Sequence, residues 1–217
     1  MDANFAGQGY LALPDAGEGR GVLLLHSWWG LTPAFKRMCD RLAEAGFVAL
    51  APDLFDGETA STVEAAEGLL GAVDPSNLAH LVRSGLHHLR ALSITGAGPC
   101  GVVGFSMGAS MAMWLSAREP DGVAATVVFY GTQDTDLVDA RSGYLGHFAD
   151  QDAYISDDDL VFFESSLHVD GHAPTFHRYP GTRQWFFEED REQHDPAAAE
   201  LAWERTIAFL DATVPPI

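Results

Sequence analysis

The sequence predicts an α/β fold in which a mostly parallel sheet is covered by helices on both faces. Short apolar runs, typical of buried strands, alternate with longer segments whose apolar residues recur at helical spacing. Glycine and proline residues fall between these segments, where turns would join them. No internal repeat or low-complexity tract interrupts the alternation, so residues 1–217 are expected to form a single domain.

Three strands and three helices are predicted in the first half of the chain. The strands are expected at Phe5–Leu13, Gly21–His26 and Phe47–Ala51. The helices are expected from Pro33 up to Gly46, from Ser61 to Val73 and from Pro75 to Leu89. Thr32 and Pro33 suit the cap and first position of a helix, and Ser61-Thr62-Val63-Glu64 has the form of a capping box.

The second half is predicted to contain four more strands and three more helices. The strands are expected at Cys100–Phe105, Val123–Tyr130, Tyr144–Ala149 and Thr175–Tyr179. The helices are expected at Met107–Arg118, from Ser156-Asp157 onward, and at Pro196–Ala212. Helices that repeatedly separate strands are the crossover connections a parallel sheet requires.

The charge of the chain narrows the classes of partner. Its 217 residues contain 31 acidic and 12 basic side chains, Lys36 being the only lysine, and the formal net charge is -19. Nucleic acid and anionic membrane surfaces would be repelled. A small-molecule site or a protein partner is therefore expected, in a monomer or a homodimer.

The cysteines and the apolar runs predict a cytoplasmic protein. Cys39 and Cys100 lie in apolar periodic segments without CxxC spacing, which favours buried thiols over a disulfide or a metal site. No apolar run is long enough to span a membrane, and no basic segment leads into an apolar one at the N-terminus. We therefore expect neither a spanning helix nor a signal peptide.

The segment Gly104-Phe105-Ser106-Met107-Gly108 has the pattern of a nucleophile elbow. An apolar strand precedes it and a helix follows it, which is the context that such an elbow requires. The glycines allow a tight turn that would project the Ser106 hydroxyl above the sheet edge, toward the N-terminal dipole of the next helix. The alternative is an ordinary turn serine, which the flanking strand and helix make the weaker interpretation.

From this segment outward, the chain resembles the dienelactone hydrolase branch of the α/β-hydrolases over nearly its whole length. The stretches that carry the resemblance are His26–Pro33, Ala51–Phe55, Phe129–Gly131, Ala149–Asp152 and Tyr179–Gly181. The resemblance implies an α/β-hydrolase sheet, Ser106 as nucleophile and Asp152 as the acid that orients the base. It also implies an oxyanion hole formed by the backbone N–H groups of Trp28 and Met107. Asp152 has an alternative interpretation as part of a solvated acidic loop.

The chain departs from the family at two positions that matter for catalysis. The family motif Tyr-Pro-Gly-Ala-Gly-His-Gly-Phe-Phe corresponds to Tyr179–Phe187, so Gln184 stands in the place of the histidine. An amide cannot take the serine proton. Loss of the histidine from a serine triad lowers turnover about 10⁶-fold, or roughly 8 kcal/mol of barrier. The second departure is Ser27, where relatives often carry a glutamate beside the nucleophile.

Other histidines are alternative candidates for the base. His26 ends the strand that leads into the oxyanion loop, although a supporting hydrogen-bonding role is the favoured interpretation there. His177 lies on a predicted strand and His194 immediately precedes a helix start, so neither has motif support. The remaining histidines lack the HExxH or carboxylate patterns of a zinc site, and no metal or cofactor is expected.

Aromatic residues are the expected walls of the substrate pocket. The candidates are Trp29, Phe55, Tyr130 and Trp185, and they favour an apolar or aromatic substrate. In the family an arginine shortly after the histidine holds the substrate carboxylate, but the nearest equivalent here is Glu188. A dianionic lactone is therefore disfavoured.

Two function classes follow from the sequence. The first is a hydrolase of an ester, lactone or related acyl bond that acts through Ser106, and the elbow and Asp152 favour it. The second is a hydrolase-derived protein that binds an apolar ligand or catalyses a non-hydrolytic step such as cyclisation, and Gln184 favours it. We hold the first as the leading hypothesis. The second stays open, because a fold alone does not determine function.

Overall fold

The computed structural model describes residues 7–217, which form a seven-stranded sheet and six helices. The strands are β1 (Gly9–Ala12), β2 (Arg20–Leu25), β3 (Phe47–Pro52), β4 (Cys100–Phe105), β5 (Val123–Phe129), β6 (Gly143–Gln151) and β7 (Thr175–Arg183). The helices are α1 (Pro33–Glu44), α2 (Val63–Ala72), α3 (Pro75–Ala91), α4 (Met107–Arg118), α5 (Asp157–Val169) and α6 (Pro196–Thr213). The strand order is β1-β3-β2-β4-β5-β6-β7, and every pairing is parallel except that of β1 with β3. The predicted fold class is confirmed.

Helices cover both faces of the sheet because apolar side chains alternate along its buried strands. Val22 and Leu24 of β2 face a core that contains Phe35 of α1 and residues of α6. Leu23 and Leu25 face the opposite core, where α3 and α4 pack. Each side of the strand is therefore removed from water, and this burial is the main favourable term in folding.

The element bounds differ from the predicted ones at a few places. The first strand is shorter than predicted, and Phe5 and Ala6 lie outside the described residues. The N-cap of α2 is Thr62, whose hydroxyl accepts from the Ala65 N–H, and not Ser61. Strands β6 and β7 both run beyond their predicted ends.

Both cysteines are buried free thiols, as predicted. Cys39 lies on α1 and Cys100 begins β4. Burial raises the pKa of each thiol to about 12. Both groups therefore stay protonated near neutrality and are poor nucleophiles.

The parallel register gathers the carboxyl ends of the strands at one edge of the sheet. Leu25 pairs with Gly104, Phe105 with Phe129, and Gln151 with Arg183. The residues that follow these strand ends therefore share one edge, which is where open α/β sheets bind ligands. We refer to it below as the carboxyl edge.

Candidate active site

Ser106 occupies a strained turn between β4 and α4. Its backbone has φ 51° and ψ -113°, a conformation that residues with a Cβ rarely adopt. The turn is held by the Ser106 N–H, which donates to the Phe129 carbonyl at 2.9 Å. A Cβ added to Gly104 would lie 2.2 Å from the Gly108 carbonyl oxygen, and one added to Gly108 would lie 2.2 Å from the Leu25 carbonyl oxygen. The two glycines therefore permit the close approach of β2, β4 and α4 that forms the turn.

We expect Gly108→Ala to destabilise the protein by about 3 kcal/mol or more, since the added methyl group would overlap main-chain atoms of β2 that cannot rotate away. Gly71→Ala on α2 is the matched control, because nothing lies within 4 Å of its added Cβ. That control should be stabilised by about 0.5–1 kcal/mol. Urea denaturation of both variants checks the prediction, and an unchanged midpoint for Gly108→Ala would contradict it.

Two backbone N–H groups beside Ser106 have no hydrogen-bond partner in the described part of the chain. They belong to Trp28, in the loop after β2, and to Met107, the first residue of α4. The carbonyls of Leu25 and His26 lie against Gly108 in the first turn of α4, so the loop begins close to the helix N-terminus. An anion at the start of α4 would therefore meet the unpaired Met107 N–H and the positive end of a helix dipole.

Asp152 and Gln184 directly follow a pair of residues that face each other across β6 and β7. These residues are Gln151 and Arg183. Oδ1 of Asp152 accepts from the Tyr154 N–H at 2.8 Å and the Ile155 N–H at 3.2 Å. Oδ2 of Asp152 and Oε1 of Gln184 are both buried and have no partner among the described residues. The two strand ends thus bring Gln184 and Asp152 to neighbouring positions at the carboxyl edge.

The pKa of Asp152 is raised above its ordinary value. Burial is the main cause, and the two backbone N–H donors on Oδ1 act in the opposite direction by stabilising the ionised form. Oδ2 has no hydrogen bond, so the free-energy cost of removing it from water is not offset.

Glu188 is a functional candidate that the sequence analysis did not place in the site. Its side chain is fully buried, and both carboxyl oxygens accept hydrogen bonds. The Ser27 hydroxyl donates to Oε2 at 3.0 Å, and the Tyr130 hydroxyl donates to Oε1 at 2.9 Å. Burial raises the pKa of Glu188 to about 8. A carboxyl group is therefore present beside position 27, although it is supplied by residue 188.

The histidines considered as alternative bases make other contacts. His26 is fully buried, and its Nε2 accepts from the Leu54 N–H at 3.0 Å, so Nδ1 carries the ring hydrogen and donates to the Ser27 carbonyl at 2.7 Å. Burial lowers the pKa of His26 to about 4. His177 lies on β7 with its ring 5.9 Å from that of His147. His194 lines a groove of about 300 Å³ beside α1.

An aromatic cluster, formed by Trp28, Trp29, Tyr154 and Trp185, lies over the carboxyl edge. Neighbouring ring centroids in it are 5.1–5.9 Å apart. All three indole Nε1 atoms are buried without a partner among residues 7–217. A buried polar group without a partner costs about 1–3 kcal/mol, so the cluster holds three N–H donors that no described residue satisfies. Tyr154 had no sequence signal beyond its place after Asp152.

The other two predicted pocket residues have different surroundings. Phe55 packs against His26, with 5.3 Å between ring centroids, and lines a groove of about 540 Å³ bounded by α2 and α3. Tyr130 is 1% exposed, and its hydroxyl is engaged by Glu188. Tyr130 thus contributes to the support of the site more directly than to its surface.

Two further features are absent from the part of the chain that the structure describes. No group of three or more histidine, cysteine or acidic side chains is arranged to hold a metal ion there. None of the helices between residues 7 and 217 has both the length and the apolar character needed to cross a membrane.

Comparison with known proteins identifies the family. The model of the dienelactone hydrolase family matches residues 8–214. The protein usf of Aquifex pyrophilus is 31% identical, with 94% of this chain and 92% of that protein covered. A carboxymethylenebutenolidase of Rhodococcus opacus is 26% identical, with 92% and 84% covered. A dienelactone hydrolase-like promiscuous phosphotriesterase from metagenomic libraries superposes with a TM-score of 0.81 at 19% identity, over 95% and 92% of the two chains. The chain belongs to the dienelactone hydrolase family, a family of hydrolases with the α/β-hydrolase fold.

Proposed function

We propose that the chain hydrolyses an ester, lactone or related acyl bond through Ser106. The observation that carries the proposal is the strained elbow, which holds Ser106 at the carboxyl edge and at the N-terminus of α4. The Ser106 oxygen attacks the acyl carbon as its proton passes to solvent water, and the carbonyl electron pair moves to the carbonyl oxygen. The N–H groups of Trp28 and Met107 stabilise that oxyanion. Collapse of the adduct breaks the bond from the acyl carbon to the leaving oxygen, and the expelled alkoxide takes a proton from solvent. Water then attacks the Ser106 ester, which releases the acid and returns a proton to Ser106.

The proton of Ser106 has no imidazole to receive it at the family position. Gln184 stands there, and an amide is not a base near neutrality. His26 is not a substitute, because both of its ring nitrogens are hydrogen-bonded to the backbone. We therefore propose slow hydrolysis that favours esters with good leaving groups, whose departure needs little help from a general acid.

The surroundings of the elbow favour an uncharged apolar or aromatic substrate. The indole rings of Trp28 and Trp185 provide apolar surface together with unpaired N–H donors. Asp152 adds a carboxyl group to the same edge, and the whole chain carries a net charge of -19. A dianionic substrate would enter against this field.

A second candidate function rests on Gln184 and the free oxygen of Asp152. An amide in place of the base leaves an oxyanion site without a proton acceptor. Such a site could bind and polarise a carbonyl group for a non-hydrolytic step such as cyclisation. Hydrolysis remains the proposal, because the elbow that presents Ser106 is intact.

The test is the reaction of Ser106 with a fluorophosphonate, followed by mass spectrometry of the labelled peptide. We expect one adduct on Ser106, and we expect Ser106→Ala to abolish both the adduct and the hydrolysis of 4-nitrophenyl butyrate. Ser165→Ala on the exposed side of α5 is the matched control and should change neither. Full hydrolysis by Ser106→Ala would overturn the proposal.

A further inference from the structure

Glu188 joins two separate segments of the chain through one buried carboxyl group. Ser27 belongs to the loop after β2, and Tyr130 follows the end of β5. A carboxyl group placed in a core is unfavourable unless its oxygens receive hydrogen bonds. Both oxygens of Glu188 do receive them, and the two donors come from different loops.

These two segments flank Ser106 on either side. Ser27 directly precedes Trp28, whose N–H is one of the two proposed oxyanion donors. On the other side, Tyr130 has a positive φ of 37°, and a Cβ on the next residue, Gly131, would lie 2.5 Å from the Ser106 carbonyl oxygen. A shift of either segment would therefore alter the geometry around the elbow.

We propose that Glu188 is a positioning residue for the reaction at Ser106, which as a carboxylate holds the oxyanion loop and the end of β5 in place by accepting from Ser27 and Tyr130. This inference rests on the proposed function of Ser106. It assigns no proton transfer to Glu188, since the residue acts through the two hydroxyl groups that it binds.

The ionisation of Glu188 connects this arrangement to pH. Burial raises its pKa to about 8, Asp190 adds to the increase, and Arg191 and the two hydroxyl donors oppose it. Asp152 acts on the partner Tyr130, whose own pKa is raised well above its ordinary value, while His26 beside Ser27 stays neutral. Below pH 8 one of the carboxyl oxygens carries a proton. The group then cannot accept a hydrogen bond from each hydroxyl as the carboxylate does. Above pH 8 it accepts from both.

The experiment measures kcat and KM for 4-nitrophenyl butyrate between pH 6 and pH 10. In the wild type, kcat should rise through a midpoint near pH 8. Glu188→Gln should remove that midpoint and lower kcat at pH 9 by about 10-fold to 100-fold, as expected for a displaced reacting geometry. KM should change less than about twofold, because the substrate does not touch Glu188 in this proposal.

Three further variants separate positioning from mere structural support. Ser27→Ala and Tyr130→Phe each remove one donor to the carboxylate, so each should move the kcat midpoint to higher pH. Glu189→Gln removes an exposed carboxylate that pairs with Arg37 and should leave the midpoint and kcat unchanged. The rate of Ser106 phosphonylation by the fluorophosphonate is followed in parallel, because it requires no turnover.

The inference is overturned if Glu188→Gln keeps the midpoint, or if neither donor variant moves it. If Glu188→Gln does not fold, the kcat midpoints of Ser27→Ala and Tyr130→Phe test the inference instead. Failure of the proposed function is recognised separately, because Ser106→Ala would then hydrolyse the ester as fast as the wild type.

Discussion

Gln184→His should raise kcat on activated esters by about 100-fold or more, the usual contribution of a general base. Gln184 follows Arg183, which pairs with Gln151 immediately before Asp152. A histidine there would find the free Oδ2 of Asp152 as an acceptor for one ring nitrogen, which leaves the other to take the proton of Ser106. Steady-state rates with 4-nitrophenyl butyrate at pH 8 measure the gain.

Two controls determine whether the gain comes from a restored triad. Gln193→His introduces the same side chain nine positions along the chain, next to His194 in the groove beside α1, and should leave kcat unchanged. Adding Asp152→Asn to Gln184→His should remove most of the gain, because the imidazole loses the acceptor that orients it. Efficient wild-type hydrolysis that Gln184→His leaves equal or lower would contradict the prediction and show that another base is present.

The stability of the wild type should fall as the pH rises from about 4.5 to about 8, and Glu188→Gln should remove that fall. The folded pKa of Glu188 is about 8 against an ordinary 4.5. Because the folded value is raised, its contribution is fully present below pH 4.5 and is lost progressively as the pH rises from 4.5 to 8, a change of roughly 5 kcal/mol. Between pH 5.5 and pH 9 the wild-type Tm should decrease by about 10 °C more than that of Glu188→Gln.

Thermal denaturation at both pH values, monitored by circular dichroism, gives the comparison. Other groups titrate in the same interval, but they are common to both proteins and cancel in the difference. Glu189→Gln should follow the wild-type curve, since its carboxylate is exposed. Parallel Tm curves for wild type and Glu188→Gln would show that Glu188 titrates at an ordinary pH.

The sequence predicted the order of the strands and helices because the buried strands are continuous apolar runs, as in Val22–Leu25. It did not predict that β6 and β7 extend to Gln151 and Arg183, where the residues are polar and include Pro180. Strand β7 lies at the edge of the sheet, where a proline is tolerated because one side of the strand needs no partner. That extension is what makes Asp152 and Gln184 neighbours.

The position of Ser106 was predictable for a local reason, while the support around it was not. Gly104 and Gly108 lie close to Ser106 in sequence, so the turn they permit can be recognised from the spacing alone. Glu188 contacts Ser27, which is 161 residues away in the sequence, and Tyr130, which is 58 residues away. The departures that the family resemblance implies at positions 27 and 188 were the available signal, since it leads one to expect a carboxylate at the first and a guanidinium near the second.

Backbone strain in the described residues is concentrated where the chemistry is proposed. The residues other than glycine with positive φ between positions 7 and 217 are Asp56, Ser106, Tyr130 and Trp185, and each lies beyond the carboxyl end of a strand. Such conformations cost of order 1–3 kcal/mol each and persist only where the surroundings impose them. The apolar layers beneath this edge therefore hold the strained residues in place, so a substitution at the edge, such as one at Gln184, leaves the framework intact. If thermostability alone were selected, the strained conformations at this edge would be the first to be selected against.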